Sequence, residues 1–346
     1  MSARRRVAVL MGGRSSEHEI SLASARSVIE ALDPKRYEVV TLEIGQDGRW
    51  ALPSGPVPQA LGPGASPAGD TPQLPVPVPS GEVATTLAGV EVVLPILHGP
   101  FGEDGRLQGL LEMAGVPYVG ADHAASAVCM DKDLFKAIMR DQGIPVTRNV
   151  TLRNGDAPQT PFGYPVFVKP ARLGSSVGIS KAHDAEELRA AVELAFRYDE
   201  KVLVEEFVSG VEVEVGVLGN REPFASLVGE IAVTHNEWYD YEAKYEEGEM
   251  DLVVPARITP DQTTRVQQLA VQAFVSTECE GMARVDCFVT GEGEVLINEL
   301  NTIPGFTSTS VYAELFEASG IPYPELLDRL VELALERHER RSRLEY

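Results

Sequence analysis

The chain has 346 residues, 44% of them hydrophobic and 24% charged, the composition of a globular protein with room for two or three domains. Its 30 basic and 52 acidic side chains give a net charge of −22, which argues against nucleic acid or an anionic membrane as the general partner. An anionic nucleotide stays compatible with that charge, because a cleft or a bound cation sets its own local field.

Residues 6–10 (RVAVL) read as a buried parallel strand closed by Gly12 and Gly13. This apolar run is too short for the core of a secretory leader, and no run approaches the roughly 20 residues of a bilayer span, so a cytoplasmic location is expected. A helix over 21–32, a strand over 37–44 and an apolar strand over 90–97 follow, an alternation that predicts a parallel α/β first domain. Between them, residues 53–80 are dense in Pro and Gly and are expected to form a surface excursion. Composition shifts near 121–130. Residues 131–142 then read as a helix stopped by Gly143, with Pro145 beyond. A strand at 165–169, a glycine–serine loop, a helix at 185–197 and a strand at 201–206 come next. From about Glu212 the alternation of apolar and polar residues predicts an antiparallel sheet with flanking helices. The expected division is 1–125, 126–212 and 213–346. Cys129, Cys279 and Cys287 have neither ligand nor disulfide spacing and read as buried thiols.

Three segments carry chemistry. In 166–180 (VFVKPARLGSSVGIS) a strand delivers Lys169 into a loop with Gly174, Ser175, Ser176 and Gly178. Backbone amides, hydroxyls and an ammonium at that spacing suit phosphate oxygens, although the segment alone fits a hairpin turn equally well. In 202–218 a strand runs into Glu205, Glu206, Phe207 and Val208. Main-chain groups there can pair with an adenine edge while Phe207 packs on its face, and Glu212 suits ribose hydroxyls; a plain strand–turn–strand is the bland alternative. In 281–305 a hairpin carries Asp286 on one strand, with Glu299 and Asn301 on the other. A period of two puts Glu299 and Asn301 on one face, and pairing brings Asp286 beside them. Acids in so apolar a hairpin need compensation, and a hard divalent cation supplies it.

Taken in order, these segments resemble the ATP-grasp fold, an α/β and α+β architecture in which two α+β lobes hold ATP after an N-terminal parallel α/β domain. Within it the chain closely resembles the D-alanine–D-alanine ligase family, from residue 7 to 333. The most specific pieces are GGRSSEHEISLASA (12–25), LHGPFGEDGRLQG (97–109), YDYEAKY (239–245) and NELNTIPGFTSTS (298–310), with Met130, Asp131, Lys132 and Lys136 opening the central domain. The resemblance implies an ATP-dependent ligation of two D-alanines through an acyl phosphate, for cell-wall peptidoglycan synthesis. It implies Lys132, Lys169 and Ser176 at the nucleotide phosphates, and Glu205, Phe207, Val208 and Glu212 at adenine and ribose. Asp286, Glu299 and Asn301 would hold two magnesium (or manganese) ions, with Glu299 bridging, and Arg284 would serve the phosphoryl group. Glu17 would anchor the first D-alanine in a network with Ser175 and Tyr245. His98 would lie near that substrate, Ser310 and the Gly305 amide would receive the second, and Lys244 and Tyr245 would ride a closing loop. It further implies a homodimer through the N-terminal domain and leaves room for a monovalent cation, for which no motif speaks.

Each residue has a plainer reading. Glu17 suits a helix start, His98 a strand end and Tyr245 an ordinary packed aromatic. The nearest functional rival is a D-alanine–D-lactate ligase, against which the YDYEAKY segment speaks. A nicotinamide-dependent oxidoreductase fails because no GxGxxG follows Leu10. A non-catalytic nucleotide-binding module would not need the full set of metal and substrate residues.

Overall fold

The computed structural model describes residues 4–51, 81–233 and 250–345. The contacts divide it into two compact units, one of residues 1–123 with 303–346 and one of residues 124–302. This division groups the C-terminal tail with the first unit, whereas the sequence reading attached it to the residues before it.

The first unit opens with β1 (Arg5–Gly12), α1 (His18–Ala31), β2 (Tyr37–Ile44) and β3 (Trp50–Ala51). It continues through α2 (Gly81–Ala88), β4 (Val92–Pro95) and α3 (Arg106–Met113). Its sheet runs β3-β2-β1-β4. The β1–β2 and β1–β4 pairings are parallel, as the strand–helix alternation predicts, and the two-residue edge β3 is antiparallel. Val7 to Met11 on β1 are all fully buried, which is why that strand reads as an unbroken apolar run.

The second unit contains α4 (His123–Met130, from Ala124 on), α5 (Lys132–Asp141), β5 (Asn149–Arg153), β6 (Val166–Pro170), β7 (Ser180–Ala182), α6 (Ala185–Ala195) and β8 (Lys201–Glu206). Then come β9 (Gly210–Gly219), β10 (Phe224–Val233), β11 (Met250–Val253), α7 (Pro260–Ser276), β12 (Gly281–Thr290) and β13 (Val295–Asn301). They form two antiparallel sheets, β5-β8-β6-β7 and β11-β10-β9-β12-β13. Asp131 caps α5 by accepting from the Leu134 amide at 3.2 Å, and Lys201 holds the same carboxylate at 2.6 Å. The cap fixes where α5 starts, and so where Lys132 stands. Asp184 caps α6 through the Glu186 and Glu187 amides.

The tail, α8 (Val311–Ala318) and α9 (Tyr323–Ser342), is tied to the first unit by charge as well as packing. Buried Arg337 donates to the carbonyls of Tyr118 and Gly120, and Arg341 reaches Asp122 at 2.7 Å. Asp328 accepts from the Tyr37 hydroxyl at 2.7 Å and from Arg36. Buried backbone carbonyls paired by a guanidinium would each cost a desolvation penalty if the arginine were removed.

Residues 53–80, expected as a surface excursion, lie outside the described residues, as do Lys244 and Tyr245. Among the described residues no helix is long and apolar enough to cross a membrane. Cys129, Cys279 and Cys287 are buried free thiols.

The helix α5 packs on α7 and β13. Its Phe135 is fully buried. Phe135→Ala is expected to lower unfolding free energy by about 3–5 kcal/mol, read by urea denaturation; a loss under about 1 kcal/mol would mean that the cavity collapses.

Candidate active site

The second unit contains a cavity of about 550 Å³ whose walls draw on both of its sheets. Lys132, Lys169, Gly174, Ser175, Ser176, Glu205, Phe207, Val208, Glu212, Asp286, Asn298 and Glu299 all line it. Segments far apart in the chain therefore meet at one place.

Helical spacing explains the lysines. Lys132 and Lys136 stand one turn apart on α5, on the face that also buries Phe135 and Met139. The Lys132 ammonium donates to the Leu173 carbonyl at 2.9 Å and pairs with Glu299 at 3.0 Å. Lys136 is completely buried and pairs with Glu205 and the Thr147 hydroxyl. Lys169, from the end of β6, takes the other Glu205 oxygen at 2.6 Å and the Asn298 side-chain oxygen at 3.2 Å. Burial pushes the Lys136 ammonium down to about 8, against the partial support of Glu205. Burial alone would raise the Glu205 carboxyl, but Lys136 and Lys169 outweigh it and hold the group below the ordinary carboxylate range. Both oxygens of Glu205 are thus engaged by lysines. Its main chain is laddered between Asn149 of β5 and Phe167 of β6, and the residues that follow, Glu206 to Val208, bring the strand's end to the cavity.

Past Lys169, Ser175 and Ser176 have φ of 52° and 58°, a left-handed backbone that is costly for side chains with a Cβ. Gly178, at φ 74°, could carry no Cβ: it would sit 2.7 Å from the Tyr198 ring. This bent backbone turns Ser175 and Ser176 into the cavity. Phe207 is 42% exposed, with the Lys181 ammonium 4.6 Å from its ring centre.

The hairpin β12–β13 places Arg284 opposite Asn301 and Asp286 opposite Glu299, so all four share one sheet face. The register then slips, and Cys287 faces Ile297. Asn298 is the extra residue, a β-bulge, and it joins Glu299 in lining the cavity. Asp286 is only 4% exposed and is held by Arg284 through two bonds of 2.7 Å. On the other side of β12, Glu214 of β9 stands opposite Asp286 and lies 2.8 Å from Arg284. Burial works against the Arg284 guanidinium, but Asp286 and Glu214 outweigh it and push the group well above its ordinary value. Glu214 and Asn298 are the groups that motif reading passed over, and Lys136, which it named, received no role there. Glu214 and Asn298 depend on strand register, which short-range sequence patterns do not carry. Oxygen donors from Asp286, Glu299 and Asn301 on one nearly dry face are the set that a hard divalent cation takes, so the residues fit such an ion.

The remaining expected residues lie in the first unit. Glu17 and His98 are buried, and a Cβ on Gly99 would meet the Glu17 carboxylate at 2.5 Å, so Glu17 packs directly on that backbone. The His98 Nδ1–H donates to the Ile303 carbonyl at 3.0 Å, which leaves Nε2 to accept from the Ser24 hydroxyl. Burial lowers the His98 imidazole, favouring the neutral ring, and Glu17 partly opposes this. The Ser310 hydroxyl accepts from the Thr307 amide at 2.9 Å, and a Cβ on Gly305 would stand 3.3 Å from it, so Gly305 and Ser310 are neighbours. Ser175 belongs to the other unit.

Family models described as D-ala D-ala ligase N-terminus and D-ala D-ala ligase C-terminus match residues 6–121 and 138–332. The chain is 44% identical over 355 residues to D-alanine--D-alanine ligase A of Escherichia coli (strain K12), covering 96% of each. It is similar to the structure of a D-alanine--D-alanine ligase from Bacillus anthracis complexed with ATP (26% identity, TM-score 0.77, 97% of this chain and 99% of that one). It is also similar to VanG D-Ala:D-Ser ligase from Enterococcus faecalis (33% identity, TM-score 0.80, 96% and 100%). The architecture is the ATP-grasp fold, and the chain belongs to the D-alanine–D-alanine ligase family.

Proposed function

We propose that the chain joins two D-alanines at the expense of ATP, releasing D-alanyl-D-alanine, ADP and phosphate for peptidoglycan precursors. The observation that carries this reading is the single cavity where two lysines, a serine loop, an exposed phenylalanine and the hairpin acids converge. In the first step the carboxylate of one D-alanine attacks the γ-phosphorus of ATP, and ADP leaves. In the second, the neutral amine of the other D-alanine attacks the acyl carbon, phosphate leaves, and the amine gives up a proton. A carboxylate is a poor electrophile, and phosphorylation supplies its leaving group.

Each residue then has a task. Lys132, Lys169 and the Ser175–Ser176 backbone hold the phosphates. Phe207, Val208 and the end of β8 at Glu205 hold adenine, and Glu212 takes the ribose. Asp286, Glu299 and Asn301 would hold magnesium or manganese, which when bound neutralises phosphate charge. Arg284 stabilises the phosphoryl group in flight. Glu17 anchors the ammonium of the first D-alanine beside His98, and Gly305 with Ser310 receives the second. Lys244 and Tyr245, which lie outside the described residues, are assigned by the resemblance to keeping water from the acyl phosphate. In this reading the nucleotide lies between the four-stranded sheet and the five-stranded sheet of the second unit. The resemblance supports a homodimer formed through the N-terminal unit and a cytoplasmic location.

Three measurements test this. Phosphate release from ATP across a panel of D-alanine, D-serine, D-lactate and L-alanine is expected to be fastest with D-alanine as sole substrate. Preferential use of D-lactate or D-serine as acceptor would move the chain to another branch of the family. Glu299→Ala is expected to cut phosphate release by roughly 10²- to 10³-fold; unchanged turnover would remove the hairpin from the reaction. Phe207→Ala is expected to raise the KM for ATP about tenfold, equivalent to ~1.4 kcal/mol, with both D-alanine constants unchanged.

A further inference from the structure

We infer that Glu214 is a positioning residue: it keeps hold of Arg284 so that Asp286 can turn its oxygens to a divalent cation. This rests on the metal reading of the hairpin. Three observations carry it. First, Glu214, Asp286 and Glu299 are direct neighbours across β9, β12 and β13, so three carboxylates stand in one row. Second, Arg284 crosses this row's edge and touches two of them, Asp286 through Nε and Nη2 and Glu214 through Nε at 2.8 Å. Third, the β9 residue opposite Arg284 is Gly216, and the β10 residue opposite Glu214 is Gly229. These two glycines leave lateral room beside Arg284 and Glu214 on this face.

The two acids next to Arg284 differ in one respect. Asp286 lines the cavity and Glu214 does not, although it is only 7% exposed. A cation entering the cavity competes with Arg284 for Asp286 oxygens. If Asp286 were the sole anchor, releasing it would leave a buried guanidinium unpaired, at a penalty of several kcal/mol. Glu214 removes that penalty by retaining the guanidinium. Groups that orient a metal ligand from behind in this way typically change metal affinity 10- to 100-fold when altered.

The test uses the whole enzyme with a non-hydrolysable ATP analogue and reads Mn²⁺ binding by electron paramagnetic resonance. Glu214→Gln removes the anchoring charge. Glu214→Asp keeps the charge but shortens its reach to Arg284. Both are expected to weaken Mn²⁺ binding about tenfold or more, within the range for residues behind a metal ligand. Melting temperatures without metal and nucleotide should stay near the wild type. If Glu214→Asp binds Mn²⁺ like the wild type while Glu214→Gln does not, net charge is the whole effect and the positioning role falls. It falls too if both variants bind normally, or if both lose binding together with folding. Glu299→Gln serves as the separate control: if it leaves Mn²⁺ binding intact, the metal reading itself fails, whatever the Glu214 variants do.

Discussion

Three carboxylates held side by side on a nearly dry sheet face would repel one another and suffer the loss of water. What makes the row of Glu214, Asp286 and Glu299 tenable is that cations reach it from two directions, Arg284 within the sheet and Lys132 from the start of α5. Most of the second unit's architecture follows from delivering those two charges. The Asp131 cap and its partner Lys201 set the first residue of α5. The glycines on β9 and β10 leave lateral room for the guanidinium and its anchor. Such a row is a poor stabiliser by itself, since buried ion pairs seldom repay their desolvation. Under the proposed reaction its value lies in being ready for a doubly charged ion and a polyphosphate.

A second relay stands behind it. Glu205 is shared by Lys136 and Lys169, and Lys169 also reaches Asn298 beside Glu299. The fully buried Lys136 touches none of the cavity itself. It holds one Glu205 oxygen, and the other oxygen fixes the ammonium that the proposed reaction directs at phosphate. The two relays meet at consecutive residues of β13, so the groups proposed to serve metal and phosphate share one strand.

Much of this was legible in the amino-acid order. The parallel first sheet follows from short apolar strands alternating with helices, and the shared face of Arg284, Asp286, Glu299 and Asn301 follows from strand periodicity and one hairpin. Helix and strand ends moved by a few residues, as with 90–97 narrowing to β4, because a buried apolar run does not say where its ladder stops. Three things escaped. The C-terminal tail groups with the first unit through Arg337, Arg341 and Asp328, charged residues of an amphipathic helix that resemble solvent-facing ones until a partner is known. Glu214 looked like any polar strand position, because its meaning lies in the register between β9 and β12. Glu205 belongs to a segment expected to meet adenine through main-chain groups, and nothing in the sequence announced that two lysines would engage its buried carboxylate.

The bulge at Asn298 has a wider consequence. In an unbroken strand Ile297 would share the face of Glu299, and Asn298 would point away from it. The slip sends Ile297 into the core opposite Cys287 and gives the cavity two adjacent polar residues. The transferable unit in this hairpin is therefore a spacing defect together with its acids. Anyone grafting the acids onto a regular ladder would carry over the letters and lose the geometry. Deleting Asn298 would keep Asp286 opposite Glu299 and Cys287 opposite Ile297 but take one of the two adjacent polar residues from the cavity. Length at this point is as tightly constrained as chemistry.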